Sequence, residues 1–365
     1  MKGPCERLGE NEDQREEAIA PAGCFAGVPE ADKDSEADSD SDLETEDIHG
    51  LREPIRDALH LGSCQAYGIV PTIYFLNQGC APELKLRHRG LGPQGAWALA
   101  SMLISNPYIK RLDLQDNGLC VAGAEALAYV LSKNSSICDV DLSENQIGVA
   151  GAQALCAALK VNQAVQKIQL AGNSLEEKAA QYLAELLLVH TGLKSLDVSY
   201  NQLNDQAGET LGPALAENTG LTELNISWNH LRGPGAIVFA RGLEANIFLK
   251  VLDISFNGFG DSGASAVGEA LKANNVLEEL NMSNNRISAT GARHLGLGLW
   301  VNQTLRILVD MQVNREFDDL ASSVKVILPG LCIKTGAPRV DYKKELLPVF
   351  RPPPPASAPN DFGSQ

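Results

Sequence analysis

At 365 residues the chain has room for two or three ordinary domains, but its formal net charge of −16 argues against a nucleic-acid partner, whose phosphates would be repelled. No uninterrupted apolar run approaches the length that spans a bilayer, so no membrane association is predicted. The six histidines and eight cysteines lack metal-ligand or redox spacing, and no H-E-x-x-H, Walker lysine, Rossmann glycine or G-x-S-x-G pattern occurs. The protein therefore reads as non-enzymatic, with no catalytic, cofactor-binding or metal-binding residues.

Residues 1–50 hold 16 acidic and 4 basic residues, a net −12 that leaves −4 for the remainder. Few aromatic residues and no sustained apolar period accompany that charge, so this acidic tail is predicted to be disordered. Ser35, Ser39 and Ser41 each have an acid three residues on (Asp38, Asp42, Glu44), which resembles an acidophilic kinase site set in a solubilising tail. No apolar core follows Met1-Lys2, and the cysteines have no close pairs, so a cytoplasmic protein with free thiols is expected. Residues 51–80 form half a repeat. Pro71 and Tyr67 break its register, Ile55 to Asn77 reads as a helical N-terminal cap, and Trp97 is expected to pack against it.

From residue 81 a 28-residue unit repeats without insertion or deletion, placing asparagine at Asn117, Asn145, Asn173, Asn201, Asn229, Asn257 and Asn285. Leu112, Val140, Ile168, Leu196, Leu224, Leu252 and Leu280 each stand two residues before another apolar residue, Leu114 to Met282 in the same columns. That spacing puts both on one face of a short strand and turns the alternate residues to solvent. A small pair follows, such as Gly123-Ala124 or Gly151-Ala152, and then leucines four apart: Leu127/Leu131, Leu155/Leu159, Leu183/Leu187, Leu211/Leu215. These make one buried helix face. The column Asn106, Asn134, Asn162, His190, Asn218, Asn246, Asn274, Asn302 falls where each helix must stop, and a left-handed C-cap is predicted there. The first asparagine column lies where loop amides lack a sheet partner, so its side chains are predicted to satisfy them.

The L-x-x-L-x-L-x-x-N-x-L unit with its G-A-x-A-L-A-x-x-L-x-x-N helix resembles the leucine-rich repeat of the ribonuclease-inhibitor type over residues 81–330. The resemblance implies an α/β, right-handed horseshoe solenoid with a parallel inner sheet and outer helices. Geometry argues for the same curvature, since strands stack about 4.8 Å apart while helices need about 8–10 Å. Arg89 replaces the first loop asparagine, and Asp310 and Val313 break the columns at the far end. Glu316 to Leu328 is predicted as a C-terminal capping helix ending at Gly330, and 331–365 as a tail whose Pro352 to Pro355 favour polyproline II, the conformation that SH3, WW and EVH1 domains bind.

A solenoid offers its inner face for binding. Lys85, Arg87 and Arg111 open that face, and Asp113, Asp141, Asp197, Glu223 and Asp253 make it predominantly acidic. Tyr200, Trp228 and Phe256, each just before a loop asparagine, should form a contiguous aromatic row near one rim. The expected function is a non-catalytic, monomeric protein-interaction scaffold. Its partner-binding residues are Asp113, Asp141, Asp197, Tyr200, Glu223, Trp228, Asp253 and Phe256, and the partner is a protein with a basic and apolar patch. The alternative is a regulator of an enzyme, because the same repeat type resembles the Ran GTPase-activating protein. That protein's acidic segment follows its repeats, whereas here the acidic segment precedes them.

Overall fold

A computed structural model describes residues 81–309 and 332–334. The acidic tail, the 51–80 cap, the final capping helix and the 331–365 tail apart from residues 332–334 lie outside the described residues.

Among the described residues, nine three-residue strands alternate with eight helices. The strands are β1 (Glu83–Lys85), β2 (Arg111–Asp113), β3 (Asp139–Asp141), β4 (Lys167–Gln169), β5 (Ser195–Asp197), β6 (Glu223–Asn225), β7 (Val251–Asp253), β8 (Glu279–Asn281) and β9 (Ile307–Val309). Between them run α1 (Gly92–Leu103), α2 (Cys120–Lys133), α3 (Gly148–Val161), α4 (Ala179–Val189), α5 (Asp205–Glu217), α6 (Gly233–Ala245), α7 (Gly260–Ala273) and α8 (Ala289–Val301). A further strand, β10 (Cys332–Lys334), pairs with β9. The strands lie in sequence order in one open parallel sheet, Leu112 opposite Val140 and Val140 opposite Ile168, so the 28-residue period is also the pairing register. This is the expected repeat solenoid.

Burial follows the columns. Leu112, Leu114, Val140, Leu142, Ile168 and Leu170 are at most 1% exposed, as are Leu127, Leu131, Leu155 and Leu159 on the helices, so sheet and helix layer share one continuous apolar core. Trp97 packs partly buried against the same core.

The loop asparagines work as predicted. Asn145 Nδ2 donates to the carbonyls of Leu142 and Ser143 in its own repeat and Leu114 in the preceding one, while its Oδ1 accepts from Asn117 N at 2.9 Å. Asn117, Asn173, Asn201, Asn229, Asn257 and Asn285 repeat the donor arrangement across repeats. Every column member is buried, which leaves the series structural.

The second asparagine column corrects an expectation. Asn134, Asn162, Asn218, Asn246, Asn274 and Asn302 end their helices in extended backbone, with φ from −67° to −91°, and not in the left-handed region. The side chain supplies the turn instead. Asn134 Oδ1 accepts from the amides of Ser136 and Ile137, and its Nδ2 donates back to the carbonyls of Leu103 and Asn106. This second ladder ties each helix end to the one before it.

The helices do not all approach equally. A Cβ on Gly242 would lie 2.1 Å from the Gly212 carbonyl oxygen, and one on Gly298 would lie 2.0 Å from that of Gly268. The same contact thus recurs two repeats later, pressing α5 against α6 and α7 against α8. Helix starts share this period. Asp205 Oδ1 accepts from Arg232 N at 3.0 Å, and Asp261 Oδ1 accepts from Ser288 N at 2.7 Å and Gly291 N at 3.2 Å. A carboxylate in one repeat thereby satisfies the amides that open the next helix.

Candidate functional site

The sheet's solvent face is built from the residues that flank each buried strand leucine, together with the loop residues that follow. The N-terminal part of this face is already occupied by its own charges. Arg87 reaches from the end of β1 across two repeats, its Nε donating to Asp113 Oδ2 and its Nη2 to Asp141 Oδ2 at 3.1 Å. Both aspartates also accept a turn amide, Gln115 N on Asp113 and Ser143 N on Asp141. Asp113 and Asp141 are consequently 0% and 2% exposed. Arg87 and the turns use both carboxylates internally. Arg111 lies between Glu83 and Asp139, 3.3 and 3.5 Å away, and this end is a charge network closed on itself.

Farther along, Asp197 and Asp253 are half-buried. Asp197 accepts from Ser199 N and Asn225 Nδ2, and Asp253 from Ser255 N, Ser255 Oγ and Asn281 Nδ2. Burial pushes the Asp197 carboxyl above its usual range, against the hydrogen bonds from Ser199 and Asn225 that lower it. Burial likewise raises Asp139. Glu223 is exposed. Together Asp197, Glu223 and Asp253 border a shallow depression of about 210 Å³ over β4 to β7. That is below the ~300–1,000 Å³ of small-molecule clefts, so the surface suits a macromolecular contact better than a buried ligand.

Tyr200, Trp228 and Phe256 do form one row. Tyr200 and Trp228 stack with ring centroids 5.1 Å apart and planes 13° apart, and Trp228 and Phe256 with centroids 3.9 Å and planes 10° apart. The strand repeat sets this spacing, since each ring stands one repeat from the next. Tyr200 and Trp228 remain 47% and 42% exposed, and Phe256 is half-buried.

A backbone feature that periodicity does not reveal underlies the row. The residue before each member of the loop-asparagine column, from His88 (before Arg89) through Asp116, Glu144, Gly172, Tyr200, Trp228 and Phe256 to Asn284, has φ between 50° and 66°. Left-handed backbone there is natural for Gly172 or Asn284 but uncommon for bulky aromatics. Tyr200, Trp228 and Phe256 thus occupy positions that local preference does not assign to them. The earlier rungs are polar, with His88 Nδ1 lying 2.8 Å from Asp116 Oδ2 and Gln115 Nε2 donating to Glu144 Oε1 at 3.2 Å.

Among the described residues no cluster of three or more His, Cys, Asp or Glu is arranged to hold a metal, and no helix is long and apolar enough to cross a membrane. Cys156 is buried, with its thiol pushed up to about 12 by desolvation, so it packs as a small apolar group.

A family model described as Leucine Rich repeat matches residues 105–128, 133–156, 190–212, 217–240, 245–268 and 273–296, in step with the strands and helices above. The chain carries leucine-rich repeats. The chain is 71% identical over 111 residues to human leucine-rich repeat-containing protein 74B and 62% identical over 111 residues to the mouse protein of that name. Each match covers 30% of this chain and 28% of the relative, so the similarity spans under a third of either curated protein. Among solved structures, the leucine-rich repeat protein LegL7 of Legionella pneumophila is 16% identical, with a TM-score of 0.44, over 69% of this chain and 81% of that one.

Proposed function

We propose that this protein is a non-catalytic scaffold that binds a protein partner on the open face of its sheet, anchored on Tyr200, Trp228 and Phe256. The observation that carries the reading is the stack itself. Three large aromatic rings, two exposed and one half-buried, are held in a fixed mutual geometry at backbone positions that disfavour them. Aromatic anchors of this kind dominate the energy of protein interfaces, and their rigidity limits the ordering cost of binding. Asp197, Glu223 and Asp253 border the row and favour a partner with lysine or arginine around an apolar anchor. With Asp113 and Asp141 engaged by Arg87, the binding surface lies over β5 to β7 and not along the whole sheet.

The test compares proximity labelling in cells by the wild-type chain, Trp228→Ala and Tyr129→Ala, the last altering a half-exposed aromatic on α2. Partners lost with Trp228→Ala and kept with Tyr129→Ala define the interface. With a purified partner, Trp228→Ala should weaken binding by at least about 2 kcal/mol, roughly thirtyfold, with the melting temperature unchanged. A lowered melting temperature with unchanged affinity would mean that the row only covers the turns.

A further inference from the structure

On α8 the side turned away from the sheet carries Leu297, Trp300 and Val301, which are 55%, 64% and 53% exposed. Spacings of three and four residues set them on one helix face as a single apolar patch. The repeat itself does not require such a patch. One repeat earlier, α7 holds Glu269, Lys272 and Ala273 at the same three positions, all exposed, with Lys272 Nζ donating to Glu269 Oε1 at 2.7 Å. Because α7 packs between α6 and α8, exposure there means that these positions face solvent even where a helix lies on either side. A further helix laid beside α8 would therefore leave Leu297, Trp300 and Val301 open. Contiguous exposed apolar side chains of this kind mark contact surfaces. The local charge says which contact. Residues 280–309 contain Arg286, Arg293 and Arg306 and no aspartate or glutamate, a net +3 within a chain of net −16. Arg293 stands four residues before Leu297 on the same helix face, is exposed, and is paired with no carboxylate among the described residues. The patch measures a few hundred Å² at most, below the ~800 Å² per partner of a standard interface, so it suits one helix of a partner better than a second copy of the whole chain.

We propose that the outer face of α8 is a second docking surface, separate from the aromatic row, and that it receives an amphipathic helix of a protein partner whose apolar stripe is bordered by aspartate or glutamate. Trp300 is the anchor, with Leu297 and Val301 beside it, and Arg293 pairs with an acid one turn beyond the partner's apolar residues. This ligand is opposite in charge to the one that Asp197, Glu223 and Asp253 favour on the sheet. The two surfaces therefore do not compete for one ligand.

The test uses the full chain and two blocked helical peptides of about 18 residues, long enough to hold a helix, with the same leucine stripe and either glutamate or lysine along its borders. Binding is read locally, from the NMR shift of the Trp300 indole, assigned by its loss in Trp300→Phe. The glutamate peptide should move that signal and the α8 amides, with an affinity about threefold tighter than the lysine peptide, the size of one exposed ion pair. Arg293→Glu should remove the preference. Leu297→Glu combined with Trp300→Lys copies the face of α7 onto α8; it should abolish the shifts and leave the melting temperature unchanged, since α7 folds with those residues. Trp228→Ala should leave the peptide's affinity as it is. Equal affinity for the two peptides, undiminished binding in the double variant, or no movement of the Trp300 indole at millimolar peptide would overturn the proposal. A melting temperature lowered by the double variant would assign the patch to a segment of this chain, and self-association of the wild type that the double variant loses would assign it to a second copy; either result overturns the partner helix.

Discussion

At the scale of single residues, the chain is held by side-chain amides that stand in for missing backbone partners, and His190 is the one described member of its column that is not asparagine. It is 0% exposed; Nδ1 accepts from Leu193 N at 3.0 Å, while Nε2 has no partner of good geometry. With Nδ1 used as an acceptor the ring must be neutral, and burial holds its pKa below the ordinary histidine value. The unfolded chain therefore takes up the proton first, and stability falls as pH drops from about 7 through the unfolded pKa near 6.5, levelling off below the folded value. Asparagine at this position would restore the back-donation seen from Asn218 to the Leu187 carbonyl and would not titrate. His190→Asn should accordingly raise the melting temperature, and its advantage over wild type should widen between pH 7 and pH 5. Parallel pH profiles for the two proteins would show that the imidazole is not neutral in the fold.

At the scale of elements, the paired glycines decide how closely helices approach. The Gly242 column is alanine at Ala214 and Ala270, yet at Gly242 a Cβ would meet the Gly212 carbonyl oxygen at 2.1 Å, a backbone atom that no rotamer change can move aside. Gly242→Ala should separate α5 from α6 and cost about 1–3 kcal/mol, typical of overpacking, despite alanine's better helix propensity. Urea midpoints measure it, and an unchanged midpoint would mean the helices have slack. Strands, helices and core columns were legible because each repeat restates the same requirement, so an error in one unit is corrected by its neighbours. The aromatic row was legible for the same reason, as three residues in one column. What could not be read were properties not confined to a column. Arg87 crosses two repeats to cover Asp113 and Asp141; the glycine contact recurs only every second repeat; and the left-handed backbone under Tyr200, Trp228 and Phe256 is hidden by residue types that usually avoid it. The extended helix ends were missed because asparagine suits both a left-handed cap and a side-chain turn, and the sequence alone does not choose between them.

At the scale of the whole molecule, a solenoid's stability is a sum of repeats and nearest-neighbour interfaces, and its surface field is the sum of charges left unpaired. Leu187, 4% exposed at the end of α4, lies between repeats that bond onward through Asn218. Leu187→Ala should cost about 2–5 kcal/mol and uncouple the flanking repeats, seen as a split in hydrogen-exchange protection between α3 and α5. A loss below roughly 1 kcal/mol with uniform protection would mean that cooperativity does not pass through this helix. The field is subtler, because not every acid on the sheet contributes equally. Asp113 and Asp141 share the single positive charge of Arg87, and Asp197 and Asp253 are committed to turns and to Asn225 and Asn281, whereas Glu223 is exposed on β6, in the repeat of Trp228. Exposed rim charges act mainly on the encounter rate, and salt screens them over about 10 Å at 0.1 M. Glu223→Lys should therefore slow association with a basic partner several-fold at low salt, and the difference from wild type should shrink as salt is raised, while dissociation changes little. Trp228→Ala should do the reverse, speeding dissociation at all salt concentrations, because a truncated anchor loses contact and not attraction at a distance. If Glu223→Lys left the association rate unchanged in low salt, the partner would approach another surface, and the acidic border of the row would be only the residue of the repeat consensus.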